Sequence, residues 1–217
     1  MLERFRQFWT NVWAPLANLF LKWGISPNTV TFVGTLGVVA GAVIFFPQGK
    51  LLVGVLVITA FVFSDIMDGY MARTSGKVSV FGAFWDSTLD RIGDAAIFGG
   101  LAMYYVGPGD NDWFAALAIY CLSMGSVTSY ARARAESLGM QAKVGIAERS
   151  DRLVSILVVT GLADIANKLG AGEDALWAIP ITLGLLAVAS TITVVQRVLV
   201  VHQQSIAIDA ARAESDA

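Results

Sequence analysis

Four aspartates lie close together in a chain that is otherwise strongly apolar. They are Asp65 and Asp68 in the run DIMDGYMAR, and Asp86 and Asp90 in the run GAFWDSTLD. Spacings of three and four residues place each pair on one face of a helix. Carboxylates gathered where water is scarce repel one another unless cations neutralise them. The spacing therefore predicts a site that binds metal ions.

The available ligands indicate which metals such a site would hold. All four side chains are hard oxygen donors, the single histidine, His202, lies at the far end of the last apolar segment, and no cysteine is nearby. Oxygen ligands favour magnesium, manganese or calcium over zinc or copper. Two such ions could hold a pyrophosphate and stabilise the attacking and the leaving oxygen of a phosphoryl displacement. We therefore expect a substrate that contains a nucleotide diphosphate.

The elements that position these aspartates are predicted to be membrane-spanning helices. Hydrophobic residues make up 56% of the 217 residues and charged residues only 15%, an apolar share too large for one soluble core. A bilayer core of about 30 Å requires roughly 20 helical residues, and the long apolar runs lack the alternation of barrel strands. The prediction is an all-α, polytopic membrane protein with six transmembrane helices, at residues 28–46, 51–72, 82–106, 112–138, 150–170 and 175–202.

Three segments divide the predicted architecture. Residues 1–24 alternate aromatic and aliphatic side chains with polar ones at roughly helical spacing, and they lack the small-residue cleavage site of a signal peptide. We therefore expect an N-terminal amphipathic helix at the membrane interface. Residues 25–203 would form the six-helix transmembrane catalytic domain, and residues 204–217 a polar C-terminal tail.

The lysines and arginines predict the orientation in the membrane. If the amino terminus is cytoplasmic, only Lys50 and Lys168 of the 15 basic residues fall on the opposite side. An excess of lysine and arginine is typical of cytoplasmic loops. We therefore expect a multi-pass protein of the cell (plasma) membrane, with both termini and the active site on the cytoplasmic side.

The aspartates belong to a longer pattern, DxxDGxxAR, eight further residues, and then GxxxDxxxD. This pattern resembles the signature of the CDP-alcohol phosphotransferase family of membrane enzymes. The six-helix layout and the upstream run SPNTVT are also similar to that family. All the signature positions are present, namely Asp65, Asp68, Gly69, Ala72, Arg73, Gly82, Asp86 and Asp90.

The resemblance implies a reaction and a role for each residue. In such enzymes an alcohol attacks the phosphorus next to the diacylglycerol of a CDP-linked lipid, releases CMP and leaves a new phosphodiester in the membrane. The four aspartates would hold Mg²⁺ or Mn²⁺, two ions in all, and Asp90 would also be the catalytic base for the acceptor hydroxyl. The residues that would contact CDP-diacylglycerol are Asn28, Thr29, Asp68, Gly69, Ala72, Arg73 and Gly82.

Three of the polar residues near this pattern have a second interpretation. Asn28 and Thr29 follow Ser26 and Pro27, which also describe an ordinary helix start with a cap and a proline at the first position. Asp94, one turn beyond Asp90, could support Asp90 or face a wet cleft. The sequence leaves both questions open.

A second group of candidate residues is basic. It lies in the run SYARARAESLGMQAKVGIAERSDR, which is either an ordinary cytoplasmic loop or a phosphate site, since guanidinium groups bind phosphate through paired hydrogen bonds. The run resembles the phosphatidylinositol phosphate synthases of actinobacteria, a branch of the same family. That resemblance implies inositol 1-phosphate as the acceptor and a phosphate pocket formed by Ser129, Arg132, Arg149, Arg152 and Arg197.

Other functions remain open at this point. Within the family, a phosphatidylglycerophosphate synthase would use glycerol 3-phosphate and the same kind of phosphate pocket. Outside it, membrane prenyl transferases also use aspartate-rich helices with magnesium, and cation transporters use carboxylates inside the membrane. The expected partners are the lipid bilayer and, by family resemblance, a second copy of the chain in a homodimer, with no nucleic acid.

Overall fold

The fold is helical throughout the part of the chain that the structure, a computed structural model, describes. This part comprises residues 13–76 and 79–215, with only the backbone described for Asp65, Ile66 and residues 211–215. All regular secondary structure in these ranges is helix, which confirms the predicted all-α class. The chain forms two compact units, Met1–Asp110 and Asn111–Ala217.

Five α-helices occur in the described part of the first unit, residues 13–76 and 79–110. Helix α1 covers residues 13–22 of the described chain. Helix α2, Pro27–Ala40, continues through a π turn, Gly41–Phe45, and a 3-10 turn, Phe46–Gln48. The chain then reverses at Gly49, whose φ of 71° lies in the left-handed region that glycine adopts without strain. Helices α3, Leu51–Val62, α4, Ser64–Thr74, and α5, Val80–Val106, complete the unit.

Helix α2 is central to the first unit, and α3, α4 and α5 all pack against it. Glycines permit the close contacts: a Cβ added to Gly37 would lie 2.2 Å from Cγ of Phe61, and one added to Gly34 would meet the side chain of Ser64. Helix α1 lies against the α2–α4 pair, where its Ala17 is buried with Val30, Met67 and Met71. The helices that carry the aspartates are thus both fixed relative to α2.

The second unit consists of α6, Asp112–Ser137, α7, Arg149–Ala166, and α8, Ala178–Ser215. Helix α6 begins at the Asn111 cap, whose Oδ1 accepts the amide of Phe114 at 3.1 Å. Helix α7 begins at a reciprocal capping box formed by Glu148 and Asp151. A π turn, Asn167–Ala171, and a 3-10 turn, Glu173–Trp177, link α7 to α8. Both α6 and α7 pack along α8.

Several of these helices are long and apolar enough to cross a membrane. Within the described residues five candidate spans occur, at Pro27–Gln48, Leu51–Thr74, Asp112–Ser137, Arg149–Ala171 and Glu173–Ala210. They correspond to five of the six predicted segments. The remaining segment, 82–106, lies within α5, which is 27 residues long but carries Asp86, Asp90, Arg91 and Asp94. A count of six spans therefore stays a prediction.

The predicted terminal segments are described only in part. Residues 1–12 of the expected interfacial helix lie outside the described residues, whereas residues 13–22 are helical. At the other end, α8 continues without a break past residue 203 as far as Ser215. The division into 1–24, 25–203 and 204–217 stays a prediction.

The tight packing of α5 can be tested with two adjacent glycines. A Cβ on Gly100 would lie 2.8 Å from the carbonyl oxygen of Ala42, a backbone atom that cannot turn away, whereas a Cβ on Gly99 would meet nothing within 4 Å. Forcing extra volume into a packed contact costs about 1–3 kcal/mol. We expect Gly100→Ala to lower the melting temperature in detergent by several degrees and Gly99→Ala to leave it unchanged or slightly raised. Equal melting temperatures would contradict this packing.

Candidate active site

The first pair of aspartates lies on α4 and the second pair on α5. Asp68 is buried, with 7% of its surface exposed, and its Oδ2 accepts a hydrogen bond from Oγ1 of Thr31 on α2 at 2.5 Å. The same hydroxyl lies 3.1 Å from the carbonyl oxygen of Pro27. Asp68 is therefore held in a fixed position by the first turns of α2.

The start of α2 also contacts the start of α5. The indole Nε1 of Trp85 donates to the carbonyl oxygen of Asn28 at 3.3 Å, and the ring of Trp85 stacks on Phe32 with centroids 6.1 Å apart. A Cβ on Gly82 would lie 3.4 Å from Oδ1 of Asn28. The structure thus brings together Asn28 and Gly82, two of the residues predicted to contact the CDP-linked lipid.

The ordinary helix start that Ser26 and Pro27 suggested is present. The Ser26 hydroxyl accepts the amide of Thr29 at 3.2 Å and lies 2.8 Å from the Thr29 hydroxyl. This cap engages the amide and the hydroxyl of Thr29, whereas the Asn28 side chain is directed toward Gly82. The two interpretations of this segment are therefore compatible.

Arg73 lies near the end of α4 and folds back over Gly69. A Cβ on Gly69 would stand 3.5 Å from Nη1 of Arg73. The absence of a side chain at Gly69 therefore leaves open space beside the guanidinium group. Arg73 is exposed and Ala72 half-buried. This edge of α4 therefore combines a positive charge with small residues, as a site for a pyrophosphate requires.

Asp90 is linked to Asp94 through Arg91. The guanidinium of Arg91 contacts Oδ2 of Asp90 at 3.6 Å through Nη2 and Oδ2 of Asp94 at 3.5 Å through Nε. Asp94 is buried, with 6% of its surface exposed. These contacts favour the interpretation that Asp94 supports Asp90 over the one in which it faces a wet cleft.

The donor set of the first unit fits a hard divalent cation. The described side chains of Asp68, Asp86 and Asp90 offer only carboxylate oxygens. Among the described side chains no three His, Cys, Asp or Glu residues come close enough to hold one ion, and the side chain of Asp65 is not among them. The four-carboxylate cluster therefore stays a prediction.

The second unit holds all the residues predicted to bind the acceptor phosphate. Arg152 and Arg197 are 2% and 4% exposed. Arg152 donates to the carbonyl oxygens of Ala147 at 3.1 Å and Gly125 at 3.5 Å. Arg197 donates to those of Val144 at 2.9 Å and Thr128 at 2.5 Å. Each guanidinium thus joins α6 to the 138–148 connection, and the two α6 carbonyls lie one turn apart.

Two of the remaining acceptor candidates, Ser129 and Arg132, lie close to these arginines. Arg132 pairs with Glu136 at 3.0 Å and is 40% exposed, and its charge acts on Arg197. The Ser129 hydroxyl lies 3.2 Å from the carbonyl oxygen of Gly125, which Arg152 also contacts. Arg149 is the first residue of α7 and is half-buried. The structure therefore brings Ser129, Arg132, Arg152 and Arg197 together between the second half of α6, the start of α7 and the middle of α8.

Sequence reasoning missed three residues that position the site. Thr31 stands three residues after Asn28 and could have been found as a polar position on the same face of an apolar helix. Arg91 could have been found as a cation between Asp90 and Asp94 on one helix. Gly125 gave no signal, although a Cβ there would lie 3.3 Å from Nε of Arg152.

The sequence matches a known family over most of its length. The family model described as CDP-alcohol phosphatidyltransferase matches residues 24–208. The chain is 48% identical over 220 residues to the phosphatidylinositol phosphate synthase of Streptomyces avermitilis, covering 100% of this chain and 89% of that protein. It is 47% identical over 203 residues to the phosphatidylinositol phosphate synthase of Cutibacterium acnes, covering 94% and 98%.

Solved structures resemble this fold as well. The phosphatidylinositol phosphate synthase of Mycobacterium tuberculosis with CDP-DAG bound is 38% identical, with a TM-score of 0.78 and coverage of 86% of this chain and 92% of that chain. The same enzyme in complex with manganese and citrate has a TM-score of 0.77, with coverage of 86% and 87%. Both solved structures therefore share the helical fold of this chain.

The hydrogen bond between Thr31 and Asp68 generates a prediction about metal affinity. Removing a hydrogen bond that orients a metal ligand typically costs about 10–100-fold in metal affinity. We expect Thr31→Val to raise the magnesium or manganese concentration for half-maximal activity by about tenfold or more. Thr35→Val is the matched control, because the Thr35 hydroxyl donates only to the Thr31 carbonyl oxygen within the same helix. An equal shift in both variants would show that Thr31 acts only on helix stability.

Proposed function

Because this chain belongs to the CDP-alcohol phosphatidyltransferase family, we propose that it transfers the phosphatidyl group of CDP-diacylglycerol to inositol 1-phosphate. The products are phosphatidylinositol phosphate and CMP. The chain is an enzyme of the CDP-alcohol phosphotransferase type. The choice of inositol 1-phosphate is supported by relatives at 47–48% identity that are named phosphatidylinositol phosphate synthases.

The observation that carries the choice of a phosphorylated acceptor is the buried pair Arg152 and Arg197. A guanidinium withdrawn from water requires partners that face its N–H groups. The carbonyl oxygens of α6 and of the 138–148 connection orient both groups, and the charge of Arg132 acts on Arg197 from nearby. Guanidinium groups held in this way can bind a phosphate through paired, charge-assisted hydrogen bonds. Ser129, Arg132 and Arg149 complete this proposed pocket.

The CDP-diacylglycerol site is proposed on the first unit. Asp65, Asp68, Asp86 and Asp90 would hold two Mg²⁺ or Mn²⁺ ions, which supply Lewis-acid stabilisation of the pyrophosphate charge. The nucleotide and pyrophosphate would lie against the small residues of α4 and α5, with Arg73 as a cationic contact. The residues assigned to this contact are Asn28, Thr29, Asp68, Gly69, Ala72, Arg73 and Gly82.

The proposed reaction is one displacement at phosphorus. The acceptor hydroxyl oxygen attacks the phosphorus next to the diacylglycerol, the bond from that phosphorus to the bridging oxygen breaks, and CMP leaves with the electron pair. The hydroxyl proton passes to a carboxylate oxygen of Asp90. Arg91, held by Asp94, orients the Asp90 carboxylate for that step.

The membrane placement is part of the proposal. In the six-span topology predicted from the sequence, with a cytoplasmic amino terminus, only Lys50 and Lys168 of the 15 basic residues fall on the opposite side, which favours a cytoplasmic active site in the plasma membrane. Inositol 1-phosphate and CMP are water-soluble and would exchange on that side. A homodimer is proposed from family resemblance alone. The family match over residues 24–208 decides against a prenyl transferase or a cation transporter.

An acceptor panel tests the proposal directly. With CDP-diacylglycerol and Mg²⁺ in detergent, we expect CMP release with inositol 1-phosphate and none with free inositol, which lacks the anchoring phosphate. If glycerol 3-phosphate alone is used, the proposed acceptor is wrong, but the phosphate pocket stands. Equal activity with free inositol would overturn the pocket.

Two arginines on α6 provide a matched pair for the same pocket. Losing a hydrogen bond to a charged group costs about 1.5–3 kcal/mol, so Arg132→Ala should raise the KM for inositol 1-phosphate by at least about tenfold. Arg134→Ala is the control, because Arg134 is exposed and donates to the Ser137 hydroxyl one turn further along the same helix. The KM for CDP-diacylglycerol should stay constant in both variants, and a parallel rise would contradict the assignment.

The proposed role of Asp90 predicts a separation of binding from turnover. Asp90→Asn keeps the size and the hydrogen-bonding oxygen but cannot take the proton, so kcat should fall by about 10²-fold or more. Binding of CDP-diacylglycerol, measured by thermal stabilisation, should be largely retained. Asp112→Asn, at an exposed position in the first turn of α6, is the control. Unimpaired turnover in Asp90→Asn would reassign the base.

A further inference from the structure

The connection between α6 and α7 lacks regular secondary structure but is anchored to α8 along its length. Residues 140–148 form no helix or strand, yet Met140, Ala142 and Ala147 are buried. A connection that only joined two helices would lie at the surface and be mobile. This one is held by side chains from a single face of α8.

Three α8 residues make these contacts. Gln204 accepts the amide of Gln141 at 2.9 Å and donates to its carbonyl oxygen at 2.6 Å, as a neighbouring strand would. Arg197 donates to the carbonyl oxygen of Val144. Thr193 Oγ1 accepts the amides of Ile146 and Ala147, both at 3.2 Å. The contacts run in order, with the connection antiparallel to α8.

The connection is only slightly longer than the stretch of α8 that it follows. From residue 141 to residue 147 an extended chain spans about 20 Å at roughly 3.3 Å per residue. From residue 193 to residue 204 a helix rises about 16 Å at roughly 1.5 Å per residue. The connection is therefore close to extended, and a shift at one anchor moves the next one.

Gly145 allows the connection to lie this close to α8. Its φ is 145°, in a region that other residues rarely adopt, and a Cβ there would stand 2.3 Å from Cγ2 of Thr193. Thr193 itself has no exposed surface. The hydroxyl of Thr193 is thus fixed beneath the two backbone amides from which it accepts hydrogen bonds.

The end of the connection sets the position of the acceptor residues. Ala147, whose amide bonds to Thr193, also accepts a hydrogen bond from Nη1 of Arg152 at 3.1 Å. Glu148 then caps α7, and Arg149 is its first residue. Arg197 lies between Thr193 and Gln204 on the same helix face, at spacings of four and seven residues. One face of α8 therefore carries both the anchors and a proposed phosphate ligand.

We propose that Thr193 and Gln204 are positioning residues that set the affinity for the phosphorylated acceptor. They act by holding the 138–148 connection so that Arg149, Arg152 and Arg197 keep the spacing that a phosphate requires. This inference rests on the proposed function. It adds two residues that touch neither substrate and predicts a defect confined to acceptor binding.

The anchoring is tested by hydrogen–deuterium exchange, whatever the enzyme's substrate. Thr193→Val keeps the shape of the side chain but removes the oxygen that accepts two amides. Exchange at Ile146 and Ala147 should rise at least about tenfold relative to the unmodified protein. Thr182→Val is the matched control on α8, because the Thr182 hydroxyl donates to the Ala178 carbonyl oxygen of the same helix. Unchanged exchange in Thr193→Val would overturn the proposal.

Kinetics then test the effect on the acceptor. In Thr193→Val and Gln204→Leu the KM for inositol 1-phosphate should rise about tenfold, the change expected when about one net hydrogen bond is lost. The values of kcat and of the KM for CDP-diacylglycerol should stay within about twofold. Thr193→Ser restores the accepting oxygen and should restore the acceptor KM. Gln203→Leu, at an exposed position beside Gln204, is the second control.

The outcomes separate this inference from the proposed function. Faster exchange with an unchanged acceptor KM would overturn the positioning role and leave the function intact. A lower kcat together with equal increases in both KM values would show a purely structural role, and so would the absence of rescue by Thr193→Ser. Either result would overturn the positioning role as well. If the unmodified enzyme uses neither inositol 1-phosphate nor glycerol 3-phosphate, the proposed function fails, and the positioning role fails with it.

Discussion

A charged or strongly polar side chain that leaves water must find a partner, and both units of this protein are organised around that requirement. In the first unit, Asp68 is matched by the Thr31 hydroxyl and Asp94 by Arg91. In the second, the guanidinium groups of Arg152 and Arg197 bind backbone carbonyl oxygens. Several of these partners join separate elements, so the polar contacts fix helices that apolar packing alone would leave free to slide.

Helix α2 has the largest part in this arrangement in the first unit. The described contacts of the two aspartate-bearing helices, α4 and α5, are chiefly with α2. Its first turns contact Asp68 on α4 and Trp85 on α5. The run SPNTVT therefore combines a helix cap with the contacts that orient both halves of the motif. A segment far from the aspartates in sequence thus contacts both helices that carry them.

In the second unit the backbone orients two buried cations, Arg152 and Arg197. The α6 carbonyl oxygens of Gly125 and Thr128 and the carbonyls of the 138–148 connection surround two guanidinium groups. Gly125 matters because a side chain there would occupy the space of Arg152. A site in which backbone carbonyl oxygens orient guanidinium groups is suited to an anionic ligand.

The sequence by itself determined the helical class, the positions of most membrane-spanning segments, the hard-oxygen donor set and the family. These features depend on composition and on spacings within about eight residues, which a helix converts directly into a face. The tertiary structure alone decided the partners. Thr31 reaches Asp68 across 37 positions, Arg197 reaches Val144 across 53 and Thr193 reaches Ala147 across 46. Such pairs depend on which helix faces pack together and at what height, and no local periodicity encodes that choice.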